Sequence, residues 1–137
     1  MQRFVQEKEN SLDRNSNNQL IVQVNRENKS FVILKPENEV IQMYHSQGLH
    51  DLLAERSEEN ENIVLDLSKV RYLDSTIIGT LFTHSKKLKE KNLNLSIINV
   101  KHALKLLFKV TKSYSLLNIY DSLGDLVKSV KWAPKKA

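Results

Sequence analysis

The chain has 137 residues, of which 40% are apolar and 27% charged, with 21 basic against 16 acidic side chains. This length and balance predict one globular domain with one hydrophobic core rather than a disordered chain. Cysteine is absent, which excludes disulfides, thiolate catalysis and cysteine-ligated metal sites. The sequence has no apolar run long enough to span a membrane, and its start lacks the basic-then-apolar order of a secretion signal. Together these features predict a cytoplasmic protein.

The N-terminal part predicts a leader, a hairpin and a helix. Residues 1–18 are polar and without period, which favours a flexible leader. Two β-branched runs at 19–24 and 31–35, with an Asn-containing polar segment between them, predict an antiparallel hairpin. Apolar residues at helical spacing, including Tyr44, then predict a helix over 39–56, which Gly48 interrupts.

The rest of the chain alternates strands with helices. Apolar runs predict strands at 63–67, 93–100 and 116–120. Helical spacing follows each strand, from Thr76, over 101–110 and over 121–132, before a basic tail at 133–137. The order predicts an α/β domain with a mostly parallel β-sheet, an N-terminal antiparallel hairpin and about four helices. In such folds, functional groups gather where the strands end and the helices begin.

The segment Asp74-Ser75-Thr76 stands at such a junction. Asp, Ser and Thr are preferred helix caps, so the motif is explained by capping alone. The dipeptide Asp121-Ser122 precedes the last helix in the same way. An Asp-Ser pair at a helix start therefore leaves three roles open for Ser75: a cap, a nucleophile or a site of modification.

Enzymatic chemistry finds little support. Ser75 has Leu73 and Ile77 at the two glycine positions of a Gly-x-Ser-x-Gly nucleophile elbow. His45 and His50 are five residues apart, on different sides of a helix, and no His-Glu-x-x-His metal motif occurs. Three glycines cannot build a nucleotide-binding loop. We therefore predict no catalytic residue, no metal and no cofactor, and we expect Asp66 to make a structural hydrogen bond.

Lysine supplies much of the formal net charge of +5. Lys101, Lys105 and Lys109 form a stripe at four-residue spacing, which predicts a solvated helix surface. The same stripe leaves a basic nucleic-acid-binding domain as a rival class, although no aromatic side chains are interleaved as single-strand binders require.

Residues 62–131 resemble the STAS domain family, whose best-known members are bacterial anti-sigma factor antagonists. In that family a strand ends in Asp-Leu, and Asp-Ser-[Ser/Thr]-Gly-x-Gly then opens a helix. Here "LDL" is followed by "DSTIIG", so Asp74, Ser75, Thr76 and Gly79 match the motif. Ile77 replaces the first glycine, and we expect it to add bulk beside Ser75 that weakens or redirects docking of a kinase. The resemblance implies a STAS-like domain over 19–132, although "PENEV" replaces the usual Gly-x-Leu/Ile-Asp segment.

The resemblance also implies a function. The family's phosphorylated serine corresponds to Ser75, and the surface that binds the partner corresponds to Asp74, Ser75, Thr76, Ile77, Ile78 and Gly79. The unphosphorylated protein would bind an anti-sigma factor of the GHKL-type serine kinase class and so release a sigma factor. Phosphorylation by that kinase would end binding, and a PP2C-type phosphatase would restore it. The protein itself would be no enzyme, would bind no cofactor and would contact neither nucleic acid nor membrane.

A second interpretation is a STAS scaffold without a switch, as a subunit of a larger regulatory or transport complex. Retention of Asp74 and Ser75 favours the switch, whereas Ile77 favours the scaffold. The sequence leaves open whether Ser75 or Thr76 is modified.

Overall fold

The computed structural model describes residues 6–9, 20–26, 29–111 and 117–129 of the chain. Its strands and helices alternate over most of that length. The strands are β1 (Gln6–Glu9), β2 (Leu20–Arg26), β3 (Lys29–Lys35), β4 (Val40–Ile41), β5 (Asn62–Asp66), β6 (Tyr72–Leu73), β7 (Leu95–Ile98) and β8 (Asn118–Tyr120). The helices are α1 (Ser46–Glu58), α2 (Ser75–Glu90), α3 (His102–Val110) and α4 (Leu123–Ser129), and a 3₁₀ turn at Met43–His45 precedes α1.

Six strands form one sheet in the order β1-β2-β3-β5-β7-β8. The strands β1, β2 and β3 pair antiparallel, whereas β3, β5, β7 and β8 pair parallel. Each parallel crossover carries a helix, as such connections require. The mostly parallel α/β architecture with four helices is therefore confirmed.

The predictions for the N-terminal part are tested only in part by the described residues. The pairing of β2 with β3 runs from Leu20↔Lys35 to Arg26↔Lys29, but residues 27 and 28 lie outside the described residues, so a tight hairpin turn stays a prediction. Strand β1 falls within the stretch 1–18 that the sequence assigned to a leader. The other leader residues and the tail at 133–137 lie outside the described residues, so these domain boundaries stay predictions too.

The helix predicted over 39–56 is partly wrong. It begins only at Ser46, because Val40 and Ile41 pair in parallel with Tyr72 and Leu73 as the strands β4 and β6. This separate two-stranded sheet joins segments about 30 residues apart in sequence, and periodicity within one segment cannot reveal such a pairing. Gly48 lies inside α1 and does not interrupt it.

The core occupies both faces of the large sheet. Alternate residues of β5 point to opposite sides: Ile63 and Leu65 pack with α1, α2 and α3, whereas Val64 packs with α4. The larger cluster fixes α2 against the sheet through buried positions on one face of the helix, namely Ile77, Ile78, Leu81 and Leu88. The start of α2 is therefore held in a fixed place at the carboxyl edge of the parallel strands.

In the described part of the chain, which has three glycines in all, asparagine takes the left-handed backbone positions. Asn60 and Asn92 follow α1 and α2 with φ of 56° and 61°, and Asn99 follows β7 with φ of 58°. Asparagine tolerates this conformation better than most residues and ends helices in place of glycine. The low glycine content is therefore compatible with compact connections.

Candidate functional site

Asp74 is the N-cap of α2, and Ser75 is the first residue of the helix. The Asp74 backbone is extended, and its Oδ1 accepts a hydrogen bond from the Ile77 amide at 3.1 Å. Its carbonyl accepts the first helical bond, from the Ile78 amide at 3.2 Å. Because the Asp74 carboxylate supplies the cap, the interpretation of Ser75 as the capping residue is wrong. The Ser75 side chain is exposed at the helix start.

The second Asp-Ser pair is arranged differently, offset by one residue. At α4 the helix begins after Ser122, and the Ser122 hydroxyl accepts a hydrogen bond from the Asp125 amide at 3.1 Å. Asp121 instead pairs with Lys105 at 3.0 Å. Ser122 therefore caps α4. At α2 the cap is Asp74, so the Ser75 hydroxyl has no capping role. The structure thus shows different roles for the two Asp-Ser dipeptides, which the sequence alone could not distinguish.

Replacing Asp74 with Ala is expected to lower the free energy of unfolding by about 1 kcal/mol, because the first turn of α2 loses its side-chain acceptor. Replacing it with Asn is expected to retain most of that stability, since Asn caps comparably. Urea unfolding followed by circular dichroism measures both. An equal loss in the two variants would show that the cap hydrogen bond is not the source of the effect.

The segment that leads into α2 is fastened to the segment that leads into α1. The Arg71 amide donates to the Glu39 carbonyl at 2.7 Å, and the Arg71 guanidinium pairs with the Glu39 carboxylate at 3.0 Å. The Asp74 amide donates to the Ile41 carbonyl at 3.2 Å. These contacts and the β4–β6 pairing hold the start of α2 beside the 3₁₀ turn.

Ile77 does not add bulk beside Ser75, contrary to the expectation from the sequence. Its side chain is 0% exposed and Ile78 is 4% exposed, and both lie in the larger core cluster. Ser75, Thr76 and Gly79 are the exposed positions of the motif. The helix thus presents two hydroxyls and a glycine to solvent, and its two isoleucines pack into the core.

Three exposed apolar side chains lie in the segments next to this motif, and sequence reasoning missed them. Met43 is 64% exposed, Tyr44 55% and Tyr72 48%. We call these three residues the β4–β6 patch, because they lie in the 3₁₀ turn after β4 and in β6 itself. They are three of the five large apolar side chains that are exposed in the described part of the chain. Helical spacing placed Tyr44 on a buried face, so no signal in the sequence pointed to the patch.

His45 fixes the turn that carries the patch. Its ring is 2% exposed, and its Nδ1 accepts a hydrogen bond from the Gln42 amide at 2.9 Å. The proton of the neutral ring is therefore on Nε2, which lies 3.4 Å from the side-chain nitrogen of Asn38. The Asn38 Oδ1 is buried and unpartnered. A 180° turn of this amide lets Oδ1 accept from His45 Nε2 and satisfies both groups.

The remaining candidates have structural or solvated positions. The Asp66 carboxylate accepts a hydrogen bond from the Ser68 amide at 2.9 Å, so its predicted structural role is confirmed. Lys101 and Lys109 are exposed, and Lys105 pairs with Asp121. Within the described ranges no three His, Asp or Glu side chains come together as a metal cluster, and no helix is both long and apolar enough to cross a bilayer.

The fold and this site define a parallel α/β domain that presents a hydroxyl pair at a helix start, beside an apolar patch. The STAS domain family matches residues 19–126, which is more than half of the chain. The chain belongs to the STAS domain family. A comparison with curated protein sequences finds no significant match.

Solved structures share this fold at low sequence identity. An anti-sigma factor antagonist from Mycobacterium paratuberculosis superposes with a TM-score of 0.65 at 20% identity, covering 80% of this chain and 92% of that chain. The anti-sigma factor antagonist SpoIIAA in its unphosphorylated form gives 0.58 at 9% identity, covering 80% and 99%. The murine anion transporter Solute Carrier 26 family member A9 gives 0.60 at 15% identity, covering 72% of this chain but 17% of that chain.

Proposed function

We propose that this protein is an anti-sigma factor antagonist whose partner binding is switched off by phosphorylation of Ser75. The observation that carries the proposal is that different residues supply the cap and the exposed hydroxyl at the start of α2. Asp74 caps the helix, so the exposed Ser75 hydroxyl can be modified without loss of the cap. The likeness of the fold to two anti-sigma factor antagonists supports the proposal.

The helix start tolerates the phosphate. Free backbone N–H groups and the positive end of the helix dipole favour an anion at the first turn. Phosphorylation adds about −1.5 to −2 charges at pH 7. The modification therefore changes the charge of the surface rather than the fold, and a partner that buries Ser75 must desolvate that charge.

The partner is an anti-sigma factor of the GHKL-type serine kinase class, which holds a sigma factor until this protein displaces it. That kinase phosphorylates Ser75, and a PP2C-type phosphatase reverses the reaction. The protein acts in the cytoplasm as a substrate and a competitor, and so as a regulator of transcription without catalytic activity of its own. ATP is bound by the kinase, so this chain needs no cofactor.

The β4–β6 patch extends the partner surface beyond the motif. Because Ile77 and Ile78 face the core, apolar contact with the partner falls to Met43, Tyr44 and Tyr72. Exposed aromatic and methionine side chains are typical anchors of protein interfaces. In the proposal the two isoleucines contribute to the site indirectly, because they hold α2 in position.

Replacing Tyr72 with Ala is expected to weaken partner binding about tenfold, because truncation of an aromatic anchor removes more than 1 kcal/mol of binding free energy. Lys89→Ala is the matched control, since this exposed residue lies on α2 about 20 Å from Ser75 along the helix axis. Calorimetric titration with the captured partner measures both. Equal binding by the Tyr72 variant and the wild type would remove the patch from the interface.

Phosphosite mapping tests the proposed switch at residue level. The protein is incubated with its captured kinase partner and ATP, and the modified residue is located by peptide mass spectrometry. Wild type and Thr76→Ala are expected to gain one phosphate, whereas Ser75→Ala gains none. Phosphate on Thr76 in the Ser75→Ala variant, at the wild-type rate, would contradict the assignment to Ser75.

A STAS scaffold without a switch is the second candidate. The likeness to a domain-sized part of a murine anion transporter supports it, since the same fold there forms 17% of a much longer chain. On this alternative the surface around Ser75 binds a permanent partner. Equal binding by Ser75→Ala and Ser75→Asp variants is the result that separates the scaffold from the switch.

A further inference from the structure

Two histidines face each other across the contact of α1 with α2. His84 Nε2 lies 2.8 Å from His50 Nδ1, and the ring planes are inclined by 58°. At this distance one neutral ring donates its N–H to the lone pair of the other. Two nitrogens from different helices therefore already lie within hydrogen-bond distance of each other.

The pair lies in a cleft of about 350 Å³, away from the motif at the start of α2. The lining residues are His50, Ala54, Ser57, Glu58, His84, Lys87, Glu90 and Lys91. Two carboxylates balance two ammonium groups in this lining. The Lys91 ammonium is held by the Ser57 carbonyl at 2.8 Å.

We propose that His50 and His84 together bind one divalent transition-metal ion, of the class of Zn²⁺, Ni²⁺ or Cu²⁺, in this cleft. Imidazole nitrogen is a preferred ligand of these ions. Two Zn–N bonds of about 2.05 Å at a tetrahedral angle place the nitrogens about 3.3 Å apart. The observed 2.8 Å therefore needs an opening of about half an ångström, which side-chain rotation supplies. The inference is independent of the proposed function.

The hydrogen bond between the rings leaves a lone pair on one of the two facing nitrogens. Metal replaces the hydrogen-bonding proton between the rings. The donor ring moves that proton to its other nitrogen, so the exchange itself releases no proton.

The two imidazoles are the whole protein ligand set that the described ranges show, since no three candidate ligands cluster there. Water completes the coordination. The Glu58 and Glu90 carboxylates on the cleft walls attract the metal ion, whereas the Lys87 and Lys91 ammonium groups repel it. A site of this kind is open and exchangeable, unlike a closed structural zinc site.

Calorimetric titration of the untagged full chain with Zn²⁺ at pH 7.5 tests the site. We expect one Zn²⁺ per wild-type chain and binding at least about tenfold weaker in His50→Gln, because half of the protein ligands are lost. His50 is only half-buried, so this variant retains the core. His102→Gln is the control, since His102 is exposed on α3 and should not matter.

Two further readouts distinguish ligation from a change in folding. At one Zn²⁺ concentration, the melting temperature is expected to rise clearly for the wild type and for His102→Gln, and by less for His50→Gln. Electron paramagnetic resonance with Cu²⁺ is expected to show two nitrogen ligands in the wild type and one in His50→Gln. Absence of Zn²⁺ binding by the wild type, or equal binding by His50→Gln, would overturn the proposal.

Discussion

Replacing Ser75 with Asp is expected to weaken partner binding roughly a hundredfold or more, whereas Ser75→Ala binds like the wild type. Burying an uncompensated carboxylate at an interface costs several kcal/mol, and each 1.4 kcal/mol is about a factor of ten in affinity. The fold should be indifferent to the change, because an acidic residue is favourable in the first turn of a helix. Titration of the captured partner against each variant measures the effect.

Ser122→Asp is the control for charge at a helix start. Ser122 caps α4 through the Asp125 amide, and Asp is as good a cap as Ser. The variant adds the same charge to the other Asp-Ser pair of the chain and should leave partner binding unchanged. If Ser75→Asp and Ser122→Asp lost equal affinity for the partner, the effect would come from the overall charge of the protein. That result would contradict a switch at Ser75.

Replacing Ile77 with Gly, the residue that the family motif has there, is expected to lower the free energy of unfolding by about 4 kcal/mol or more. The Ile77 side chain is 0% exposed in the main core. Truncating a buried isoleucine costs about 2–5 kcal/mol, and glycine in a helix costs roughly a further 0.5–1 kcal/mol. Matching the family motif more closely should therefore damage this protein rather than improve its docking surface. Denaturant unfolding monitored by circular dichroism measures the change.

Gly79→Ala is the matched change at the other glycine position of the motif. A Cβ added to Gly79 meets nothing within 4 Å beyond the adjacent residues and the backbone of its own helix, and Gly79 has no positive φ. Alanine is expected to stabilise α2 by up to about 1 kcal/mol through its higher helix propensity. If Ile77→Gly proved as well tolerated as Gly79→Ala, the placement of Ile77 in the core would be wrong.

The sequence predicted the parallel part of the fold well because its signals are local. Each buried strand is a short apolar run, as in β5, and each following helix has an apolar face, as in α2. The start of α1 was missed because Val40 and Ile41 also fit helical spacing. Their pairing with Tyr72 and Leu73 is a tertiary contact, and it overrides local preference.

The position of the candidate site at the start of α2 was predicted, but its local geometry was missed for the same reason. The motif placed Ser75 at a helix start, but two identical Asp-Ser pairs could not be told apart until the structure showed which oxygen caps each helix. Residue type suggested that Ile77 faces solvent beside Ser75, whereas the phase of α2 turns it inward. The β4–β6 patch and the His50–His84 pair each join distant segments, so neither has a signature in a linear sequence.

Affinity capture from the host cytoplasm tests the central claim most directly. Wild type, Ser75→Ala and Ser75→Asp serve as baits, and the bound proteins are identified by mass spectrometry. The switch predicts that a kinase-fold regulator is held by the first two and lost by the third. If all three baits hold the same proteins in equal amounts, Ser75 is no switch, and the domain is a scaffold.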